Sequence, residues 1–159
     1  MLEFVLAGIA AIALMITTVQ ISIAMWNYHT LAYAVHETNR YIVVHGHDCT
    51  LYGNSCGIVV SDVAHKFSSN AIGLPDGTVT LTLTPASGSG NAVSCNPVNS
   101  CYSSAASWPP FADSVQGSNT TVSASYTFGS AIIGLWYRTP GTRIGSVTLT
   151  SSSTLPMIF

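Results

Sequence analysis

Charged residues are scarce in this sequence. Six acidic and four basic residues make up 6% of the 159 residues, whereas ordinary soluble domains carry about 25%. The formal net charge is −2, and no basic run is long enough to follow a phosphate backbone, so no nucleic-acid partner is expected. Disorder is excluded because 48% of the residues are hydrophobic. Three classes remain: a membrane protein, an assembly subunit, and a domain masked by glycans or neighbours.

The sequence also lacks several motifs of common enzymes. It contains no P-loop and no pair of catalytic carboxylates, and the C-x-x-C-H motif of covalent haem attachment is absent. His45, His47, Asp48 and Cys49 lie close together and are metal-ligand types, but histidine is equally favourable at a helix C-terminus without a metal. We therefore predict no enzyme activity, no metal site and no cofactor.

One long apolar run, in contrast, is present at the start of the chain. Residues 4–26 carry no charge and no proline and are rich in alanine and isoleucine, which favours a helix. About 20 apolar residues span a membrane. A cleaved signal peptide is not favoured, because no basic residue precedes the run and the run exceeds the usual apolar region of such peptides. We predict that residues 1–26 form the transmembrane or filament-core half of a helix.

The helical pattern then continues in amphipathic form up to Gly46. Asn27, Thr30, His36, Glu37 and Arg40 occupy the predicted polar face. Residues 27–46 are thus predicted to form the second half of one continuous helix, packed against a globular head of residues 47–159. The predicted apolar face comprises Trp26, Tyr28, Leu31, Ala32, Val35, Ile42 and Val43.

The head combines a short helix with strands. Apolar residues at helical spacing predict a helix over residues 57–70, before Gly73 and Pro75. From Asp76 onward the period changes to two, and hydroxyl and apolar side chains alternate over residues 78–84, 122–128 and 147–154. This alternation predicts a half-buried antiparallel sheet with one hydroxyl face. The fold class is therefore α+β: a long N-terminal α-helix packed on a small antiparallel sheet, with one extra helix.

Two connections in the head have unusual compositions. Residues 85–119 are rich in Pro, Ser, Gly and Asn and show no periodicity. Such a long connection is predicted to be a functional or partner-facing loop, or a surface decoration. The connection at 131–140 contains Leu135, Trp136 and Tyr137, which would form a contact patch if exposed.

Four cysteines follow the apolar run, and we expect them to be oxidised in an extracytoplasmic compartment. Of the three connectivities, the two local pairs are favoured, Cys49 with Cys56 and Cys95 with Cys101, because each closes a short turn-rich loop. A zinc site is disfavoured because neither pair has the close spacing of zinc ligands. A glycosylation sequon at residues 119–121 makes glycans a candidate addition.

The order of these features resembles a known family. Leu2-Glu3-Phe4, followed by a long Ala/Ile/Leu helix, is similar to the mature N-terminus of type IV pilin-like proteins. The stretch from Ala34 to Tyr41, then Val44-His45-Gly46, and the paired strands at the C-terminus are similar to TadE-like pseudopilins of tight-adherence (Tad/Flp) secretion systems. The resemblance covers nearly the whole chain apart from residues 85–119.

The resemblance implies a structural subunit of an extracellular, Tad-type pilus-like filament, assembled through the apolar helix with copies of itself and other pilin-like subunits. In pilins, a glutamate near the mature N-terminus pairs with the amine of a neighbouring subunit. Here that role falls to Glu3, although the pilin glutamate usually stands fifth and Glu3 stands third. Phe4, Ala7, Gly8 and Ala11 lie beside it in the assembly segment, and the small residues among them permit close helix approach.

The same resemblance implies two successive locations: the inner membrane before assembly, and the bacterial surface afterwards. An alternative stays open. The chain would then be a minor pseudopilin, or a membrane-anchored extracytoplasmic binding module, that does not form the bulk of a filament.

Overall fold

The computed structural model describes residues 2–45, 57–129 and 146–158. Its first element is helix α1 (Leu2–Val43), 42 residues in one continuous segment and about 63 Å long at 1.5 Å per residue. The continuous helix was predicted to extend to Gly46. It ends at Val43 instead, where a turn bond from the His45 N–H to the Ile42 carbonyl (3.0 Å) closes it.

Helix α2 (Val60–Asn70) packs beside α1. Its start lies three residues after the predicted one, because Val59 has an extended backbone and forms an isolated bridge with Ser107. The Asp62 carboxylate accepts the Val59 N–H (3.1 Å) and thereby satisfies a free donor at the first turn. The buried side chains of α2 recur at helical spacing: Val60, Val63, Ala64 and Phe67.

In the described residues, four strands form one antiparallel sheet in the order β2-β1-β3-β4. Their bounds are β1 Val79–Thr84, β2 Val93–Cys95, β3 Asn119–Gly129 and β4 Ser146–Pro156. The α+β class with a small antiparallel sheet and one short extra helix is confirmed. Of these four strands, only β2 was not predicted from the sequence, because three residues are too few to show an alternating pattern.

The predicted two-residue period matches the burial of β1 and the first half of β3. Val79, Leu81 and Leu83 are buried, and the threonines between them face outward. Leu81 pairs with Ala124 of β3 and with Cys95 of β2, so one apolar row crosses three strands. Strands β3 and β4 then pair continuously from Asn119–Pro156 to Gly129–Ser146.

The connection at 85–119 is built into the head rather than being a plain loop. Besides β2 it holds short 3-10 helices at Ser89–Asn91, Val98–Cys101 and Phe111–Asp113. The expected disulfide between Cys95 and Cys101 is present, with Cα atoms 5.6 Å apart. Val98 and Trp108 are buried in the core together with both cysteines. That this connection faces a partner stays a prediction.

The second half of α1 supplies one wall of the core, but its buried face differs from the predicted one. Trp26 and Tyr28 are exposed (65% and 45%), whereas Asn27 is buried. Residues 27, 31, 34, 35, 38 and 42 follow one helical stripe, and the geometry of the stripe determines which side chains are covered even where they are polar. The buried α1 residues are Asn27, Leu31, Ala34, Val35, Thr38, Asn39, Ile42 and Val43.

Candidate assembly surface

The head leaves the first half of α1 uncovered. Every side chain of residues 7–26 is exposed or partly exposed. Within the span Ala7–Val43, an 18-residue window has a mean hydropathy of 2.0, and none of that window is buried inside the molecule. By length and composition this helix can cross a membrane. The large exposed side chains are Ile9, Ile12, Leu14, Met15, Ile16, Val19, Ile21, Ile23, Met25 and Trp26.

The hydroxyl groups of this uncovered half are bonded within the helix itself. Thr17 donates to the Ala13 carbonyl (2.7 Å), and Thr18 donates to the Leu14 carbonyl (2.9 Å). Ser22 donates to the carbonyl of Thr18 (2.9 Å) in the same way. Such bonds to the preceding turn satisfy a hydroxyl without water. These three polar side chains are therefore compatible with a hydrocarbon environment.

The predicted assembly residues all lie in the first three turns of α1. Glu3 and Phe4 are in its first turn, and their side chains lie outside the described part. Ala7 and Ala11 are one helical turn apart, so they share a face. Beside them, Gly8 offers open space: apart from its chain neighbours and the backbone of its own helix, no described atom lies within 4 Å of the position that a Cβ would take. A neighbouring helix can approach closely here, as in membrane packing through small residues.

The uncovered half ends sharply between Trp26 and Asn27. Trp26 is 65% exposed, whereas Asn27 is only 8% exposed because the head begins to cover the helix there. The uncharged run of residues 4–26 extends about 35 Å at 1.5 Å per residue, which is enough to cross the roughly 30 Å hydrocarbon core of a bilayer. The head therefore begins to cover the helix where a segment long enough to span a bilayer ends.

A buried amide fixes α1 to the sheet. The Asn39 Nδ2 donates to the carbonyl of Ser153 on β4 (2.8 Å) and to that of Thr120 on β3 (3.4 Å). In return, the Thr120 hydroxyl donates to the Asn39 Oδ1 (3.2 Å), and neither Asn39 nor Thr120 has any exposed surface. Near the end of α1, the Ile158 N–H donates to the Val43 carbonyl (3.0 Å). These bonds hold the head rigidly to the helix.

The role of Asn39 was not recognised from the sequence. The available signal was its place next to the stripe of Leu31, Val35 and Ile42, where a polar residue needs a buried partner. The outer side of the same helix behaves as predicted: His36 is exposed, and Arg40 is an exposed partner of Glu37 at 3.1 Å. A surface ion pair of this kind contributes about 0–1 kcal/mol.

A second polar cluster joins α2 to the turn before β1 and to the connection at 85–119. The Asp76 carboxylate accepts hydrogen bonds from the Ser68 hydroxyl (2.8 and 2.9 Å) and from the Tyr102 hydroxyl, while the His65 ring stacks on Tyr102 with centroids 4.3 Å apart. Burial raises the pKa of Tyr102, and its bond to Asp76 raises it further. On α1, burial also raises the pKa of Tyr41, and the nearby Asp62 carboxylate adds to this effect.

The raised pKa of Tyr102 predicts a loss of stability in alkali. A phenol with a folded-state pKa above its unfolded value of 10.0 contributes stability that is complete below pH 10 and is lost as the pH rises through the folded-state value. We expect the urea unfolding midpoint of the full chain to fall less between pH 9 and pH 11 in Tyr102→Phe than in the parent. The exposed Tyr33 provides the control, and Tyr33→Phe should follow the parent. Equal declines in the parent and Tyr102→Phe would contradict the prediction.

The outer face of the sheet is an uncharged hydroxyl surface, as the alternation predicted. A shallow open depression crosses its centre, and across the strand pairs the hydroxyl of Thr121 lies 2.7 Å from that of Thr154. The depression is lined by Thr80, Thr82, Ser123, Ala124, Ser125, Thr150, Ser151 and Ser152. The serine and threonine hydroxyls of this depression can donate and accept hydrogen bonds, and none of them titrates near neutral pH.

Within residues 2–45, 57–129 and 146–158, no group of three or more His, Cys, Asp or Glu side chains is arranged to hold a metal. His45 donates from Nδ1 to the Tyr41 carbonyl (2.6 Å) at the end of α1. Several predictions fall on residues outside these ranges and stay predictions: the metal-ligand types at residues 47–49, the Cys49–Cys56 pair, and the contact patch of Leu135, Trp136 and Tyr137.

Relatives provide no independent guide to this surface. Comparisons of the chain with protein-family models, with curated proteins and with solved structures return no match. The features that bear on function are therefore the geometry of α1 and the resemblance of the sequence to TadE-like pseudopilins.

Proposed function

We propose that this chain is the structural subunit of a pilus-like filament of the tight-adherence type. The apolar half of α1 would hold the subunit in the inner membrane before assembly and would pack in the filament core afterwards. The observation that carries the proposal is the uncovered stretch of α1 at residues 7–26, which has no charge and projects from a folded head.

The exposed side chains surround the helix rather than forming one stripe. Ile9, Leu14 and Met15 point in three directions around the axis, about 100–140° apart at 3.6 residues per turn, and each is more than half exposed. A single partner helix would need only a stripe about 100° wide. A helix that is apolar all round requires a surrounding environment, which is either lipid or several neighbouring helices. A subunit that leaves the membrane for a filament core meets both environments in turn.

The position of the head supports growth of a filament. The head covers α1 only from Asn27 onward, so the apolar half of each subunit is free to pack against the apolar halves of its neighbours. Contacts between different surfaces on successive subunits do not close, and they generate a helical filament. Ala7, Gly8 and Ala11 would let neighbouring helices approach closely in that bundle. The resemblance to TadE-like pseudopilins favours a filament of the tight-adherence type.

Replacement of Glu3 tests this proposal directly. A carboxylate in an apolar filament core is tolerable only when it meets an opposite charge. In cells that carry the chain's own assembly system, we expect Glu3→Gln to lower the amount of chain in sheared surface filaments at least tenfold. The amount retained in the membrane fraction should stay unchanged, because glutamine is no less compatible with lipid than glutamate.

The chain supplies a matched control, since it has two glutamates. Glu37 pairs with Arg40 on the outer side of the head, so Glu37→Gln should assemble like the parent. Normal filaments from Glu3→Gln would remove the main support for assembly through the helix start. Electron microscopy of the sheared material measures the stoichiometry: bulk amounts of the chain are expected, whereas trace amounts would favour the minor-subunit alternative.

A further inference from the structure

An exposed isoleucine in the head lies beside the end of the uncovered half of α1. Ile72, in the turn between α2 and β1, is 72% exposed. The adjacent Gly73 contacts the helix: a Cβ at its position would lie 4.0 Å from the Nε1 atom of Trp26. Trp26 is itself 65% exposed. The two large apolar side chains therefore stand at the same level of the molecule, on the side of the head that faces the apolar half.

The turn that carries Ile72 is anchored on both sides. Ala71 and Leu74 are buried, and the Ala71 N–H donates to the Phe67 carbonyl (2.9 Å). The Leu74 N–H donates to the Ala71 carbonyl (3.0 Å), and Gly73 takes a φ of +88°, a conformation that favours glycine. With both neighbours fixed in the core, the outward position of Ile72 is a property of the turn rather than of a loose loop.

The surroundings of Ile72 are compatible with lipid. Residues 67–75 carry no charge. The next carboxylate, that of Asp76, accepts hydrogen bonds from the hydroxyls of Ser68 and Tyr102. Tryptophan is enriched at the membrane–water interface, and Trp26 ends the uncharged run that begins at Phe4, about 33 Å along the helix and close to the roughly 30 Å thickness of the hydrocarbon core. The level of Trp26 and Ile72 therefore coincides with the surface of a bilayer that contains the apolar half.

We propose that the Ile72 turn inserts into the membrane interface beside Trp26 and forms a second, head-borne contact with lipid before assembly. This inference depends on the proposed membrane anchoring by α1. A single helical anchor leaves the whole subunit free to tilt and rotate in the bilayer, with the head moving together with α1, whereas a second contact restricts that motion. Transfer of an isoleucine side chain from water to an apolar environment is favourable, so this contact favours one tilt of the subunit.

Lipid suits this turn better than a second copy of the chain does. A stable protein interface buries about 800 Å² on each partner, far more than one isoleucine and one tryptophan provide. Lipid needs no complementary shape, and the turn is continuous in space with the apolar half of α1. Ile158 is not close to the apolar half of α1. Its N–H is bonded to the carbonyl of Val43, about 25 Å further along the helix from Trp26.

Photo-cross-linking of the full chain in phosphatidylcholine vesicles tests the proposal. A photoactivatable amino acid would be placed singly at positions 15, 72 and 158, and lipid adducts would be measured by mass spectrometry. Position 158 is the matched control, since Ile158 is an exposed isoleucine like Ile72. We expect adducts at positions 15 and 72 and at least tenfold fewer at position 158.

The possible results separate the two proposals. Adducts at position 15 with only the background of position 158 at position 72 would overturn the Ile72 contact while leaving the anchoring by α1 intact. Adducts at neither position 15 nor position 72 would overturn both. A cross-link from position 72 to a second copy of the chain, in place of lipid, would also overturn the contact, because the turn would then be a protein interface.

Discussion

The Asn39→Ala variant is expected to unfold with a free energy about 2–3 kcal/mol below that of the parent, because each lost hydrogen bond contributes about 1 kcal/mol. The substitution removes the bonds that Asn39 makes with Ser153 and Thr120, and it leaves their buried carbonyl and hydroxyl groups without the amide partner. Alanine adds no new strain, since it is the best helix former. Thermal unfolding of the full chain in detergent, followed by circular dichroism, measures the effect.

A nearby asparagine controls for composition. Asn119 begins β3 and is exposed, so Asn119→Ala should change stability by no more than about 0.5 kcal/mol. A double-mutant cycle of Asn39→Ala with Thr120→Val isolates the coupling between the two buried side chains. If Asn39→Ala were as stable as Asn119→Ala, the amide would not be what holds α1 to the sheet.

The second large effect is expected from a charge in the middle of the uncovered half. Met15 is 73% exposed and lies near the centre of the apolar run, where an arginine costs about 2.5–3.5 kcal/mol of membrane insertion. We expect Met15→Arg to reduce both membrane retention and filament yield at least tenfold. The head should unfold at the parent temperature, because residue 15 lies outside the part of α1 that the head covers.

Tyr33→Arg is the matched control, because Tyr33 lies on the same helix and its side chain is also exposed (58%). Residue 33 lies in the half of α1 that carries the head, so an arginine there stays in water. Alkaline carbonate extraction measures membrane retention, and shearing measures filament yield. Equal retention and yield for the two arginine variants would show that the uncovered half meets neither lipid nor an apolar filament core.

The two predictions concern different halves of one helix. The substitution at Asn39 tests folding, and the substitution at Met15 tests assembly. Asn39 acts within one subunit, because all of its described partners belong to the same head. Met15 is exposed in the single chain, so any large effect of its substitution arises from the surroundings of the subunit. A filament defect in Met15→Arg together with a normal head would therefore localise the function to the uncovered half of α1.

Much of the candidate surface was accessible from the sequence because it depends on local properties. The uncharged run that begins at Phe4 needs no tertiary contact to be recognised, and neither does the one-turn spacing of Ala7 and Ala11. The same is true of the alternating strands, since a period of two places hydroxyl and apolar side chains on opposite faces wherever the strand lies. These features are set by the order of side chains along the backbone.

The errors concern choices that only packing makes. Trp26 was assigned to the buried face and Asn27 to the polar face, but the stripe that the sheet covers includes Asn27 and leaves Trp26 outside. Strand β2 was missed because three residues become a strand only when Leu81 to Leu83 of β1 are there to pair with them. Hydrophobicity alone does not distinguish a side chain on the edge of a stripe from one at its centre.

The sequence by itself therefore determined the helix, the strand alternation and the apolar half of α1, because each is a periodic or compositional property of a continuous segment. The tertiary structure decided which part of α1 the head covers, that Asn39 ties the helix to β3 and β4, and that Ile72 stands beside Trp26. These are relations between residues far apart in the chain. They arise only when the sheet closes over the helix and each buried polar group must find its partner.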